Sequence, residues 1–154
     1  MKRLIVALAL LGTLSQCARD VTPSRVQGRL NETLSLQPDQ TAQLGGQSDG
    51  SGANGALAVR VLSAKDERCP SWANCVSPGS AGATVLVSQG TAASDTLQLC
   101  LGLCDFTASL KETDQVSFNL GADAYVLHLE SIHSREKPGQ PTAVERVNLL
   151  LEKK

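Results

Sequence analysis

The chain has 154 residues, 42% of them apolar and 19% charged, with a net charge of −1. That length suits one domain, and the apolar fraction excludes a wholly disordered chain. Near-neutral charge and only four aromatic residues (Trp72, Phe106, Phe118 and Tyr125) exclude the basic, ring-bearing surface of a nucleic-acid binder.

The first segment reads as an address. Lys2 and Arg3 precede an apolar run over 4–11 that falls short of the roughly 18–20 residues needed to span a bilayer. The run has no polar face, so it is no candidate for a core helix. Residues 1–16 are therefore expected to be a cleaved secretory signal peptide. Leu14-Ser15-Gln16-Cys17 resembles the lipobox of bacterial lipoproteins, in which the cysteine thiol takes a diacylglycerol and becomes the new N-terminus. Gln16 departs from that pattern, where Gly, Ala or Ser is usual. The competing reading is ordinary cleavage nearby. Several acyl chains on Cys17 would anchor the protein to a membrane, since each buried CH₂ contributes about 0.8 kcal/mol. Loss of Lys2 and Arg3 takes the net charge from −1 to −3, so electrostatics would not hold it there.

Residues 17–31 read as the lipidated cysteine and a polar tether, and 32–154 as a single β domain. Leu34-Ser35-Leu36 alternates, breaks at Pro38-Asp39 and resumes over 41–44. A Gly/Ser-rich loop follows over 45–55. It contains Gly46-Gln47-Ser48-Asp49-Gly50, which satisfies the Gly-x-Ser-x-Gly pattern, but a nucleophile elbow needs a strand before it and a helix after it. Gly50 to Gly55 satisfies Gly-x-Gly-x-x-Gly, yet a strand follows where a dinucleotide site needs a helix N-terminus. Both matches are chance products of low complexity.

Five later runs have period two. Leu57, Val59 and Val61 point one way, with Ala58 and Arg60 opposite. Ala83, Val85 and Val87 repeat this, as do Leu97, Leu99 and Leu101, then Tyr125, Leu127 and Leu129, then Val147, Leu149 and Leu151. Such alternation between Gly, Pro, Asp and Ser breaks marks half-buried strands. Only the window 105–114 could hold a helical turn. The expected fold is all-β, an antiparallel β-sandwich or small barrel of six to eight strands.

Beyond Cys17, the cysteines are Cys69, Cys75, Cys100 and Cys104. An exported chain meets an oxidising compartment, and four cysteines allow three pairings. Cys69 and Cys75 flank the turn-rich Pro70-Ser71-Trp72-Ala73-Asn74. On one straight strand the Cα atoms of Cys100 and Cys104 would be roughly 13 Å apart, whereas a disulfide needs about 4.4–6.8 Å. Either the chain turns at Gly102 or these two do not pair. The turn is favoured, with pairs 69–75 and 100–104. The functional alternative is a metal-handling or thiol-redox site using Cys100, Cys104 and a histidine, although Cys-x₃-Cys is not the redox Cys-x-x-Cys spacing. His128 and His133 stand five apart, on opposite faces of an unbent strand. His128 is expected on the wet face beside Glu130.

Asp66 and Arg68 lie two apart and share a face of an extended segment. They are candidates for a fixed corner that hydrogen-bonds the loop backbone, or for a ligand site. Trp72 is expected to plug the 69–75 bridge, the alternative being an exposed contact residue.

The segment from Leu57 through Asp66-Glu67-Arg68-Cys69-Pro70 to Cys75-Val76 and Gly79 resembles a family of small exported bacterial lipoproteins. Their core reads Asp-Ser-Arg-Cys-Pro, a short loop, then Cys-(Val/Ile)-Trp-Ala-Gly. Glu67 replaces the family Ser, Ser77 and Pro78 replace Trp-Ala, and Ser80 replaces an acidic residue. The likeness covers 57–83 and 125–151. It implies a lipoprotein, an all-β fold and a 69–75 disulfide, and it carries no activity to transfer. The functional expectation is a non-enzymatic binding or structural module without a cofactor. It would be anchored in a bacterial cell envelope and meet an envelope or extracellular ligand.

Overall fold

The computed structural model describes residues 24–45, 56–91, 93–105, 109–139 and 142–154. The signal segment, Cys17, Ser48, the Gly50–Gly55 pattern and Phe106 lie outside these residues.

Nine strands form among the described residues, with no helix. They are β1 (Arg25–Gly28), β2 (Thr33–Leu36), β3 (Thr41–Leu44), β4 (Leu57–Asp66), β5 (Ser80–Gln89), β6 (Ala93–Gly102), β7 (Asp114–Leu120), β8 (Asp123–Arg135) and β9 (Ala143–Lys153). They build two open sheets, in the orders β1-β3-β4-β5-β6 and β2-β9-β8-β7. Every strand pair is antiparallel except β1 with β3. The architecture is a sandwich, not a closed barrel.

The alternating Leu and Val residues explain the two layers. Val59, Val61, Val85, Val87 and Leu99 of the first sheet face Leu36, Leu127, Leu129, Val147 and Leu149 of the second in one core. Each such side chain contributes about 1.5–3 kcal/mol when fully buried. Branched aliphatics supply most of the filling, and the rings of Phe118 and Tyr125 stack with centroids 5.8 Å apart.

The count exceeds six to eight for a local reason. The stretch read as a tether, 17–31, contributes β1, whose single apolar residue Val26 carries no periodic signal. Lys111 forms an isolated bridge with Gly102 at the end of β6, and the described residues of the window 105–114 hold no helix. β7 begins just beyond, and its Val116, Phe118 and Leu120 do alternate in the sequence.

Three register shifts rephase the strands. They fall between Val61 and Ser63 of β4, between Leu129 and Ser131 of β8, and opposite the β8 step from His133 to Ser134, where β9 carries the extra Glu145. A bulge leaves one residue unpaired, so the residues beyond it exchange faces. In β4 this turns Ala64 and Asp66 inward, opposite Ala83 and Ala81.

Both disulfides form at the same end of the sandwich. Cys69–Cys75 has Cα atoms 5.8 Å apart. Cys100–Cys104 has them 5.9 Å apart, because the chain turns at Gly102 with φ +82°. Gly79 (φ +71°) lies so close to its neighbours that an added Cβ would stand 2.1 Å from the Glu67 carbonyl oxygen. A left-handed backbone alone costs a residue with a Cβ roughly 1–2 kcal/mol. Gly79→Ala is therefore expected to destabilise the domain by at least about that much, read as a lower urea midpoint. An unchanged midpoint would show that the loop relaxes freely.

Candidate functional site

The loop end of the sandwich is built by three connections: β4 to β5, β6 to β7 and β8 to β9. Their bases are stitched together. Glu67 N–H donates to Ser80 O at 2.8 Å, Cys69 N–H to Pro78 O at 2.8 Å, and Leu103 N–H to Gly79 O at 2.9 Å. Ser71 N–H donates to a Glu136 carboxylate oxygen at 3.3 Å, tying the first loop to the third.

Asp66 and Arg68 do come together here. Arg68 Nε donates to Asp66 Oδ1 at 2.8 Å and Arg68 Nη2 to Oδ2 at 2.6 Å, a two-pronged pair. The Arg68 backbone N–H adds a third bond at 3.2 Å. The other partners lie on β8 of the opposite sheet, not on the disulfide loop. Ser134 Oγ donates to Asp66 Oδ2 at 2.8 Å, and Arg68 Nη2 donates to Ile132 O at 2.7 Å. The corner thus clamps sheet to sheet, because the β4 bulge aims Asp66 inward. The Asp66 side chain is 4% exposed and that of Arg68 37%. Burial alone pushes the Asp66 carboxyl up. The hydrogen bonds from Arg68 and Ser134, with the Arg68 charge, outweigh it and hold the carboxyl below the usual carboxylate range.

A second clamp went unread in the sequence. Asp114 at the start of β7 accepts from the Cys100 N–H of β6 at 2.9 Å and from Lys111 Nζ at 2.9 Å. Burial raises this carboxyl as well, and those bonds more than offset the rise, leaving it lowered. No spacing rule links Asp114 to Cys100 or Ser134 to Asp66, since both bonds depend on how the sheets stack. The sequence of the window 105–114 fits a helical turn, which masks the strand start at Asp114.

Trp72 does not plug the bridge. It is 56% exposed, and Val76 beside the bridge is fully exposed. A ring closed over so few residues has no interior: Ala73 N–H turns in to Pro70 O at 3.0 Å, and the side chains are left outside.

The histidines correct a second expectation. The bulge in β8 brings His128 and His133 to the same outer face, since Leu129 and Ile132 both point inward. They remain apart in their bonding. His128 Nε2 meets Glu152 at 3.1 Å, and His133 Nε2 meets Ser131 Oγ at 3.2 Å. Glu130, expected beside His128, instead accepts from Thr33 Oγ1 at 3.0 Å. Cys100 and Cys104 are joined to each other. Among the described residues no group of three or more His, Cys, Asp or Glu could hold a metal ion.

Two open grooves lie on the described surface. One, of about 550 Å³, crosses the outer face of the first sheet between Ser63, Lys65, Gly82, Thr84, Gln98 and Cys100. The other, of about 600 Å³, lies between Gln37, Pro38 and the Arg135–Glu145 ion pair. Neither is lined by Asp66, Arg68 or Trp72. Comparison of the chain with protein-family models, with curated proteins and with solved structures gave no match.

Proposed function

We propose that the chain is a non-enzymatic binding or structural module, tethered in a bacterial envelope by a lipid on Cys17. One arrangement carries this reading. The disulfide-pinned β4–β5 loop holds Trp72 and Val76 out to solvent at one end of a rigid sandwich, while Asp66, Arg68 and Asp114 of that end are engaged with the domain itself. Loops fixed on a rigid scaffold are where recognition residues usually sit. The Lys2-Arg3 start, the apolar run and Leu14-Ser15-Gln16-Cys17 support the tether. The two bridges suit an oxidising compartment.

Mass spectrometry of the protein isolated from its native cells tests this. The expected N-terminal residue is Cys17 bearing a diacylglycerol, with no free thiol on the other four cysteines. An unmodified N-terminus would remove the tether. Reactive Cys100 and Cys104 with bound metal would transfer the case to a metal-handling or thiol-redox role.

A further inference from the structure

Four large apolar side chains stand exposed among the described residues, and three of them share one end of the molecule. Trp72 and Val76 are on the β4–β5 loop, and Leu110 (59% exposed) is on the β6–β7 loop. The fourth, Leu62, is the β4 bulge residue. The two loops adjoin, since Ser80 pairs with Gly102 and Lys111 bridges Gly102. Their bridges, and the Leu103 N–H to Gly79 O bond, pin them in place. A ring on so short a stapled loop cannot fold back onto the core.

The path of the chain indicates what this end faces. β1 lies parallel to β3, with Arg25 opposite Thr41 and Gly28 opposite Leu44. Thr41 lies opposite Arg60, and Leu44 opposite Leu57. β4 runs from Leu57 toward Asp66 at the disulfide end, so the chain traced backward from Gly28 to Arg25 heads the same way. Ser24 is held on that course by Gln40 Nε2, which donates to its Oγ at 2.9 Å. From the level of Arg60 to Asp66 the strand covers roughly 20 Å. The seven residues from Cys17 to Ser24 reach at most about 25 Å. A lipid on Cys17 would therefore hold the sandwich against the bilayer with little clearance. The end toward which the chain leaves is the one with the exposed ring. Its loop charges nearly balance, Glu67 against Arg68, Glu136 against Lys137, and Asp105 and Glu112 against Lys111, so apolar contact would do the work there.

We infer that the disulfide end rests on the bilayer that takes the Cys17 lipid, with Trp72, Val76 and Leu110 seated among its headgroups. This rests on the lipid-tether reading and names the partner of the same loops. Tryptophan is favoured at that depth because its ring is apolar at one end and hydrogen-bonding at the other.

Trp72 is the single tryptophan, so its fluorescence reports this contact alone. The experiment uses the full mature protein purified from membranes, with the lipid on Cys17 verified by mass spectrometry. It is reconstituted into phosphatidylethanolamine–phosphatidylglycerol vesicles with and without brominated acyl chains. Emission is expected to fall several-fold in the brominated vesicles. The fall should be largely abolished in a Val76→Asp/Leu110→Asp double variant, which stays vesicle-bound through its lipid. Unquenched emission from lipidated, vesicle-bound wild-type protein overturns the inference and leaves the tether standing. Emission at short wavelength without quenching by brominated lipid also overturns it, and points to a protein partner. A Cys17 without lipid sinks the tether reading and this contact with it.

Discussion

Reduction of both disulfides is expected to lower the stability of the domain by about 4 kcal/mol while leaving its β-sheet spectrum in place below the transition. The bridges span sequence separations of 6 and 4. Closing so short a loop removes about 2 kcal/mol worth of conformational freedom from the unfolded chain. For a domain of this size the combined loss corresponds to a fall in melting temperature of roughly 10–20 °C. The sandwich should survive below that temperature because its Leu and Val core is continuous and contains no cysteine. The loops touch through Leu103 N–H and Gly79 O, so the two bridges are coupled. Removing them one at a time should cost more in sum than removing them together. Circular-dichroism melts of the native protein with and without a thiol reductant check the first statement. Cys→Ser pairs at 69/75 and at 100/104 check the second. Superimposable melts would mean that the bridges only ornament the surface.

Arg68→Ala is expected to cost about 2–3 kcal/mol near pH 7, more than Asp66→Ala, and the deficit should shrink in acid. Hydrogen bonds to charged groups typically contribute about 1.5–3 kcal/mol. The asymmetry follows from burial. With Asp66 gone, Arg68 can turn its partly exposed head to water, which also screens its charge. With Arg68 gone, a carboxylate that is 4% exposed keeps Ser134 and one backbone N–H as donors. The wild-type Asp66 carboxyl is lowered in the folded state. Its contribution is therefore complete above the unfolded value of about 3.9 and is lost as pH falls through the folded value. Arg68→Ala removes the side-chain hydrogen bond and the charge that lower the carboxyl against burial, so the folded value rises relative to wild type and the deficit is largest at neutral pH and shrinks as the group protonates. Urea midpoints at pH 7 and at about pH 2.5, below the unfolded carboxylate value, read both effects. An offset from wild type that stays the same at the two pH values would contradict this account of the corner. Asp114 is also lowered, so acid should release the second clamp in the same pH range.

The legibility of this site was uneven, and particular residues show why. The pairing of Cys100 with Cys104 was readable because strand geometry forbids it unless Gly102 turns, and Gly102 has the φ that the turn requires. Asp66 and Arg68 were readable as neighbours because both lie on one short segment. Their partners were not. Ser134 is 68 residues from Asp66 in the chain. Nothing in a serine near the end of an alternating run distinguishes it. Trp72 was misplaced because a lone large ring in a stapled loop invites burial, and the narrowness of the ring closed by the bridge denies it.

What the chain determined by itself was its layers. Alternating Leu and Val can hide from water only by facing another such surface, and short Gly, Pro and Asp breaks compel antiparallel returns. What only the tertiary structure decided was phase and partnership. One unpaired residue at Leu62 swings Asp66 from the wet face to the core side, and one near Glu130 puts both histidines on the same face. A bulge shows in a sequence only as a break of phase, as from Leu129 to Ile132, and its position is selected by how two sheets must stack. That stacking energy is shared among residues far apart in the chain.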